Sequence, residues 1–250
     1  LYWRVVFVRK IFIILMLSVF SIVTAHPFKS EKELYEYYAE IDKKIFAEKN
    51  KPIIRKKYPR KLTDKELEQE QIPFSLKRYT VDEIVGNNKL VYNAFNYQLM
   101  SISQINENNK EEGVIRTFDE DENLISIAYI ENSKGVMGIY REYYPWGVLK
   151  NETPYYTSEI NGKLKNYYPD GLLKEEYTYY NNKKEGLATM YYESGQKFAI
   201  ENYKNDLKNG DYYMYYENGN LGMKAFFVNG KREGTIEFYE EDGKKIEKNK

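Results

Sequence analysis

The sequence predicts a mainly β protein, an elongated single-layer antiparallel meander of 24-residue β-hairpin repeats preceded by a short α-helical segment. Three observations carry that prediction. Gly147, Gly171, Gly195, Gly219 and Gly243 recur in steps of 24 residues, and Gly138, Gly162, Gly186, Gly210 and Gly234 repeat with the same step nine residues earlier. Tyrosine pairs stand before the first set of glycines: Tyr143-Tyr144, Tyr167-Tyr168, Tyr191-Tyr192 and Tyr215-Tyr216. Of 27 tyrosines, 18 lie between residues 140 and 239, so tyrosine belongs to the repeat unit itself. A fixed period in this range is the mark of stacked supersecondary units that bury their core between neighbours.

The chain reads in order as a leader (1–25), a helical and linker segment (26–86), a degenerate first repeat (87–112) and the repeat array (113–247). Arg9 and Lys10 precede an apolar or small stretch over residues 11–23, and Val23-Thr24-Ala25 places small residues before His26. This is the pattern of a secretory signal peptide cut after Ala25. An uncut membrane anchor is the alternative, but a spanning helix needs about 20 apolar residues and this run is shorter. The expectation is an exported chain, periplasmic, surface-bound or secreted, that touches a membrane only through the leader if that stays uncleaved.

Ser30 and Glu33 form a capping-box pattern, in which each side chain would satisfy the other's free amide. Leu34, Tyr37, Tyr38, Ile41 and Ile45 follow at three- and four-residue steps and share one face, which predicts a helix from Glu31 to Lys49, stopped by Pro52. Residues 51–61 are rich in Lys and Arg, yet Glu66, Glu68 and Glu70 follow at once and cancel the field, as in a solvated linker. Thr63 and Glu66 suggest a second short helix over residues 64–71, ended by Pro73.

Within the unit from Gly210 to Gly234, Asp211 to Tyr216 is dense in aromatic residues, Glu217-Asn218-Gly219 supplies a turn, and Leu221 to Val228 is again apolar. That is a β-hairpin, and residues 229–234 turn the chain into the next one. Tyr155, Tyr179, Tyr203 and Phe227 stand eight residues after the turn glycines. Strand residues alternate faces, so each tyrosine pair is expected to place one ring on either side. The last unit has one extra residue between Phe238-Tyr239 and Gly243, which a longer turn would absorb. Upstream, Asn123 falls one period before Gly147 and is read as the αL residue of a degenerate unit over residues 113–138.

The unit Tyr-Tyr-x-x-Gly followed by Asn-Gly-Lys-x-x-Gly, as in residues 215–219 and 229–234, resembles the variant MORN repeat (membrane occupation and recognition nexus). More closely it resembles the bacterial YwqK-like proteins, commonly labelled toxin–antitoxin system antitoxins. The resemblance covers residues 113–247. It implies an extended, twisted antiparallel sheet and an antitoxin- or immunity-like binding role, and it brings no catalytic residues.

The chemistry the chain lacks narrows its function. Cysteine is absent, which removes disulfides and thiolate chemistry, and the single His26 lies at the expected new N-terminus, outside any structure that would hold a catalytic imidazole. Formal net charge is zero, so no basic field points to nucleic acid. Glu175-Glu176 and Glu240-Glu241 are neighbours that alternate faces or sit in turns, which suits solvated charge better than an acid/base pair. Asp119, Asp121 and Asn123 carry calcium-loop residue types without the remaining ligands of such a loop. The chain is therefore expected to be non-catalytic, with no cofactor and no metal, and to bind another protein. Cell-wall or glycan binding through the tyrosine stripes is the alternative. Tyr144, Tyr168, Tyr192, Tyr216 and Trp146 mark the candidate binding face, and the ten lattice glycines are expected at turns.

Overall fold

The computed structural model describes residues 28–52, 80–93, 98–131 and 134–247. The expected leader, His26, most of the basic linker and the helix expected at residues 64–71 lie outside the described residues. The chain divides into two compact units, Leu1–Glu40 and Ile41–Lys250.

Helix α1, Glu31–Lys49, begins in the first unit, and its residues 41–49 belong to the second. Ser30 caps it: its Oγ accepts the Glu33 amide at 3.2 Å, while the Glu33 carboxylate accepts the Lys29 amide at 2.7 Å instead of the Ser30 amide of a symmetric capping box. Leu34, Tyr38, Ile41 and Ile45 are buried along one face, as their spacing predicts. In the first unit Phe28 packs on Tyr37, and Tyr38 on Tyr35 and Tyr37.

The second unit is a single open antiparallel meander. Its strands are β1 Thr80–Val85, β2 Asn88–Asn93, β3 Leu99–Ile105, β4 Glu111–Phe118, β5 Leu124–Glu131, β6 Gly135–Tyr143, β7 Leu149–Tyr156, β8 Glu159–Ile160, β9 Gly162–Tyr167, β10 Leu173–Tyr180, β11 Lys183–Tyr191, β12 Lys197–Lys204, β13 Leu207–Lys208, β14 Gly210–Tyr215, β15 Leu221–Val228 and β16 Lys231–Phe238. Each pairs with its sequence neighbour, with the short β8 and β13 set beside β7 and β12.

Two kinds of turn alternate. Thr157-Ser158, Asn181-Asn182, Asn205-Asp206 and Asn229-Gly230 all have positive φ, the signature of two-residue type I′ hairpins whose twist matches the strands. The other turns follow the tyrosine pairs. In the best-formed units the amide of Gly147, Gly171, Gly195 or Gly219 donates to the carbonyl of the second tyrosine, three residues back.

The second glycine set is not in turns, which corrects the expectation for Gly138, Gly162, Gly186, Gly210 and Gly234. All five lie at bulges within or at the start of strands. Ile127 faces Arg141 and Tyr129 faces Met137, so β6 carries two extra residues around Gly138; β11 does the same around Gly186 and β16 around Gly234. Each bulge bends the strand through a positive φ that glycine adopts without strain, and an insertion of two keeps the faces in phase.

Two expectations about irregular units also change. The positive-φ residue upstream is Glu122, at φ 62°, with its amide on the Asp119 carbonyl; Asn123 follows it and bonds to the Asp119 side chain. The lattice step is 25 residues there because Glu131 faces Gly135 across a hairpin loop one residue longer than the one between Tyr156 and Glu159. In the last unit the turn keeps its length: Glu240 takes the place of the second tyrosine, its carbonyl accepting the Gly243 amide and its amide donating to Lys244.

Candidate binding surfaces

The repeat is fastened to its neighbours at both edges. On the tyrosine-turn edge the second tyrosine of each pair donates its hydroxyl to a backbone carbonyl one unit on: Tyr144 to Tyr167 at 3.0 Å, Tyr168 to Tyr191 at 2.8 Å, Tyr192 to Tyr215 at 2.8 Å and Tyr216 to Tyr239 at 2.9 Å. These four residues of the candidate binding face are thus held by the array. Their hydroxyls are engaged, and the Tyr192 ring meets Phe198 of β12 edge-on at 5.2 Å.

Trp146 belongs to the same system. Its indole N–H donates to Pro169 O at 3.1 Å, as the side-chain amide of Asn218, at the same lattice place three units further on, does to Glu241 O at 2.9 Å. Its ring stacks on Tyr144 at 4.9 Å and 4°, and the residue remains 60% exposed.

On the opposite edge the second residue of each I′ turn bonds back to the previous unit. The Ser158, Asn182, Asp206 and Gly230 amides donate to Val136, Ile160, Lys184 and Lys208 carbonyls. Ser158, Asn182 and Asp206 also accept, through side-chain oxygens, the amides of Val136, Ile160 and Lys184, closing two-point clips. Gly230 has no side chain to close the last one.

The two faces differ in chemistry. Directly opposed pairs run unbroken through Ile102, Arg116, Ile127, Arg141, Glu152, Lys165, Glu176, Thr189, Ile200, Tyr213, Lys224 and Glu237, so these share one face. The row beside it, on the other face, passes through Thr117, Ser126, Glu142, Asn151, Asn166 and Glu175 and then becomes Met190, Ala199, Met214 and Met223. There a polar ladder forms, with Asn151 donating to Asn166 at 2.6 Å and Asn166 to Glu175 at 2.7 Å. Tyrosines on this face lie over small residues of the next strand: Tyr140 faces Thr153, Tyr177 faces Ala188 and Tyr212 faces Ala225, all three small residues being buried. Large-on-small pairing lets a single layer cover itself.

Residues 41–49 of α1 lie on the first face. Ile41 seats against Gly138, where an added Cβ would fall 2.5 Å from Ile41 Cγ2. Arg141, 6% exposed, grips Asp42 through both terminal nitrogens at 2.8 and 2.7 Å and Glu152 through Nε at 3.0 Å. Tyr167 completes the network by donating to Glu152 at 2.8 Å. Burial alone would lower the Arg141 pKa, but the hydrogen bonds and charges of Asp42 and Glu152 outweigh it and hold the guanidinium above its ordinary value. Burial, then the Glu152 carboxylate, pushes the Tyr167 phenol well up. Arg116 donates to the Lys51 carbonyl at 2.8 Å, and Lys49 lies over the Tyr143 ring at 4.3 Å. The sequence reading missed this anchor, whose one visible signal is the arginine repeated at the 25-residue step.

The remaining candidates are dispersed. Glu175 and Glu176 point to opposite faces, one bonded to Tyr177 and Asn166, the other to Lys163. Asp119 uses Oδ1 on the amides of Asp121 and Asn123, closing its own loop. Among the described residues no cluster of three metal-ligating side chains occurs, and no helix is long and apolar enough to cross a membrane.

Three consecutive segments, residues 160–182, 184–205 and 208–229, match the family model of the MORN repeat variant. Their starts fall 24 residues apart, each two residues beyond a type I′ turn, and together they span about a quarter of the chain. MORN repeats are typically protein- or membrane-binding modules. No curated protein matches this chain.

Proposed function

We propose that this chain is a non-catalytic interaction module that presents one face of its hairpin array to another protein. The observation that carries the reading is an apolar set left exposed on the face that also bears α1: Leu187 at 52% and Phe226 at 45%. With the second tyrosine of each pair and the turn glycines held in the bonds that staple unit to unit, such residues are surface free to bind, and apolar groups kept in water on a repeat scaffold mark contact surfaces. The test compares the full chain with its Leu187→Lys/Phe226→Lys variant as bait in extracts of the cells that make it. A protein retained by the first and lost by the second supports the module and this face; equal retention by both moves the contact off Leu187 and Phe226, and none by either contradicts the module.

The role is carried out beyond the cytoplasm, a reading supported by the basic, apolar and small-residue pattern of residues 9–25. A mature N-terminus at His26, read by sequencing the protein from envelope or medium, is the expected result, and an intact leader in the cytosolic fraction the opposite one. An immunity-like role, with a toxin as partner, is supported by the likeness of the unit to the YwqK-like proteins.

Trp146 favours a second reading. With one face on Tyr144 and its N–H engaged, it offers only a fixed, open aromatic surface, the kind that stacks on a sugar ring. Co-sedimentation with isolated cell-wall glycan, abolished by Trp146→Ala, is its test.

A further inference from the structure

The face that carries residues 41–49 of α1 repeats the helix seat two periods further on. At Gly138 the bulged strand has φ +77°, and Ile41 fills the space a side chain would take. Gly186 stands at the same place in its own bulge with φ +85°, and a Cβ built there meets nothing within 4 Å. The same bulge is therefore present with open space above it, as it is at Gly234. Gly210, between further strands of this face, is by contrast closed by Asn202 at 3.2 Å.

Apolar side chains lead away from this open seat. Leu187 follows Gly186 as Ile139 follows Gly138. Ile200 and Tyr213 oppose each other on the face already traced. Leu187 faces Asn202, two residues from Ile200, and Phe226 faces Asp211, two residues from Tyr213, so both share that face. Leu187, Ile200, Tyr213 and Phe226 thus form a strip over β11, β12, β14 and β15. Three strand spacings span about 14 Å, the length of about ten helical residues.

We propose that the open seat at Gly186, with the strip Leu187, Ile200, Tyr213 and Phe226, is the docking site for an amphipathic helix of another protein. That helix presents a branched apolar side chain to Gly186, as α1 presents Ile41 to Gly138, and further apolar residues three, four and seven positions along to the strip. The inference deepens the interaction reading and rests on it: it names the site and the kind of partner.

The test uses the full chain in the cells that make it, with a photo-crosslinking amino acid placed in turn at Leu187, Phe226, Met223 and Trp146. Adducts at 187 and 226 are expected to map to one protein, on residues three to seven apart within one helix. Adding Phe226→Lys should reduce the adduct at 187 about tenfold or more, as loss of a central contact does, without moving the melting temperature. Adducts to a second copy of this chain, to an extended segment, or undiminished by Phe226→Lys overturn the inference. If only positions 223 or 146 react, the interaction reading stands and the docking site falls; if none reacts, both fall.

Discussion

Replacing Tyr168, Tyr192 and Tyr216 together by Phe removes three hydroxyls and leaves every ring in place. Each hydroxyl donates to a carbonyl in the next unit at 2.8 to 2.9 Å. A neutral hydrogen bond contributes about 1 kcal/mol net, and staples two strand spacings apart, roughly 10 Å, should add within about 0.5 kcal/mol. The triple variant should therefore lose about 3 kcal/mol. In urea, with a slope near 2–3 kcal/mol/M, the midpoint would fall by roughly 1 M. Circular dichroism through the transition reads both midpoint and slope, and Tyr213→Phe, which removes no staple, serves as the control. A triple variant that unfolds with the wild type would refute the staple reasoning and return those hydroxyls to the candidate binding surface.

Asp42→Ala strips Arg141 of its bidentate partner in a buried site and should cost about 3–5 kcal/mol, measured by the same unfolding; Asp42→Leu with Arg141→Met should recover much of it. Gly138→Ala and Gly186→Ala both incur left-handed strain of about 1–2 kcal/mol, but only the first meets Ile41, so its melting temperature should fall further by the equivalent of about 1–3 kcal/mol of overpacking. The phenols of Tyr167, Tyr177 and Tyr203 are pushed well up by burial and by Glu152, Glu175 and Glu201 respectively. A raised folded-state pKa gives stability that is complete below the unfolded value, about 10, and is lost as pH rises through the folded value. Thermal midpoints should be level from about pH 7 to 9 and decline beyond about pH 10; a decline already complete by pH 9 would contradict this.

What the sequence made legible was whatever repeats. The glycine and tyrosine lattices report backbone demands that recur every unit, a turn needing positive φ and a ring reaching the next carbonyl, so spacing alone reveals them. Spacing could not say whether a glycine marks a turn or a bulge, because both need the same φ; hence Gly138 and its four equivalents were assigned to turns. It also put the irregular turn at Asn123, since the residue that shifts it lies in a distant hairpin loop and Glu122 is an unusual choice for a left-handed position. The Asp42–Arg141–Glu152 anchor joins a helix to strands about 100 positions away. Nothing local in the sequence signals such a pair. Trp146 stood out as irregular, yet its N–H performs a task that Asn218 performs elsewhere, which only the geometry reveals.

Removal of one whole period most directly tests whether these units are interchangeable and stapled in register. Deleting residues 187–210 joins Gly186 to Asp211, leaves every lattice residue in phase, and brings Tyr215 O to the place where Tyr168 now finds Tyr191 O. The shortened chain should unfold cooperatively with its β-sheet circular dichroism intact and a somewhat lower midpoint, whereas deleting residues 187–209 slips the register by one and should abolish cooperative unfolding. If the two deletions behave alike, the 24-residue unit is not the structural unit of this protein.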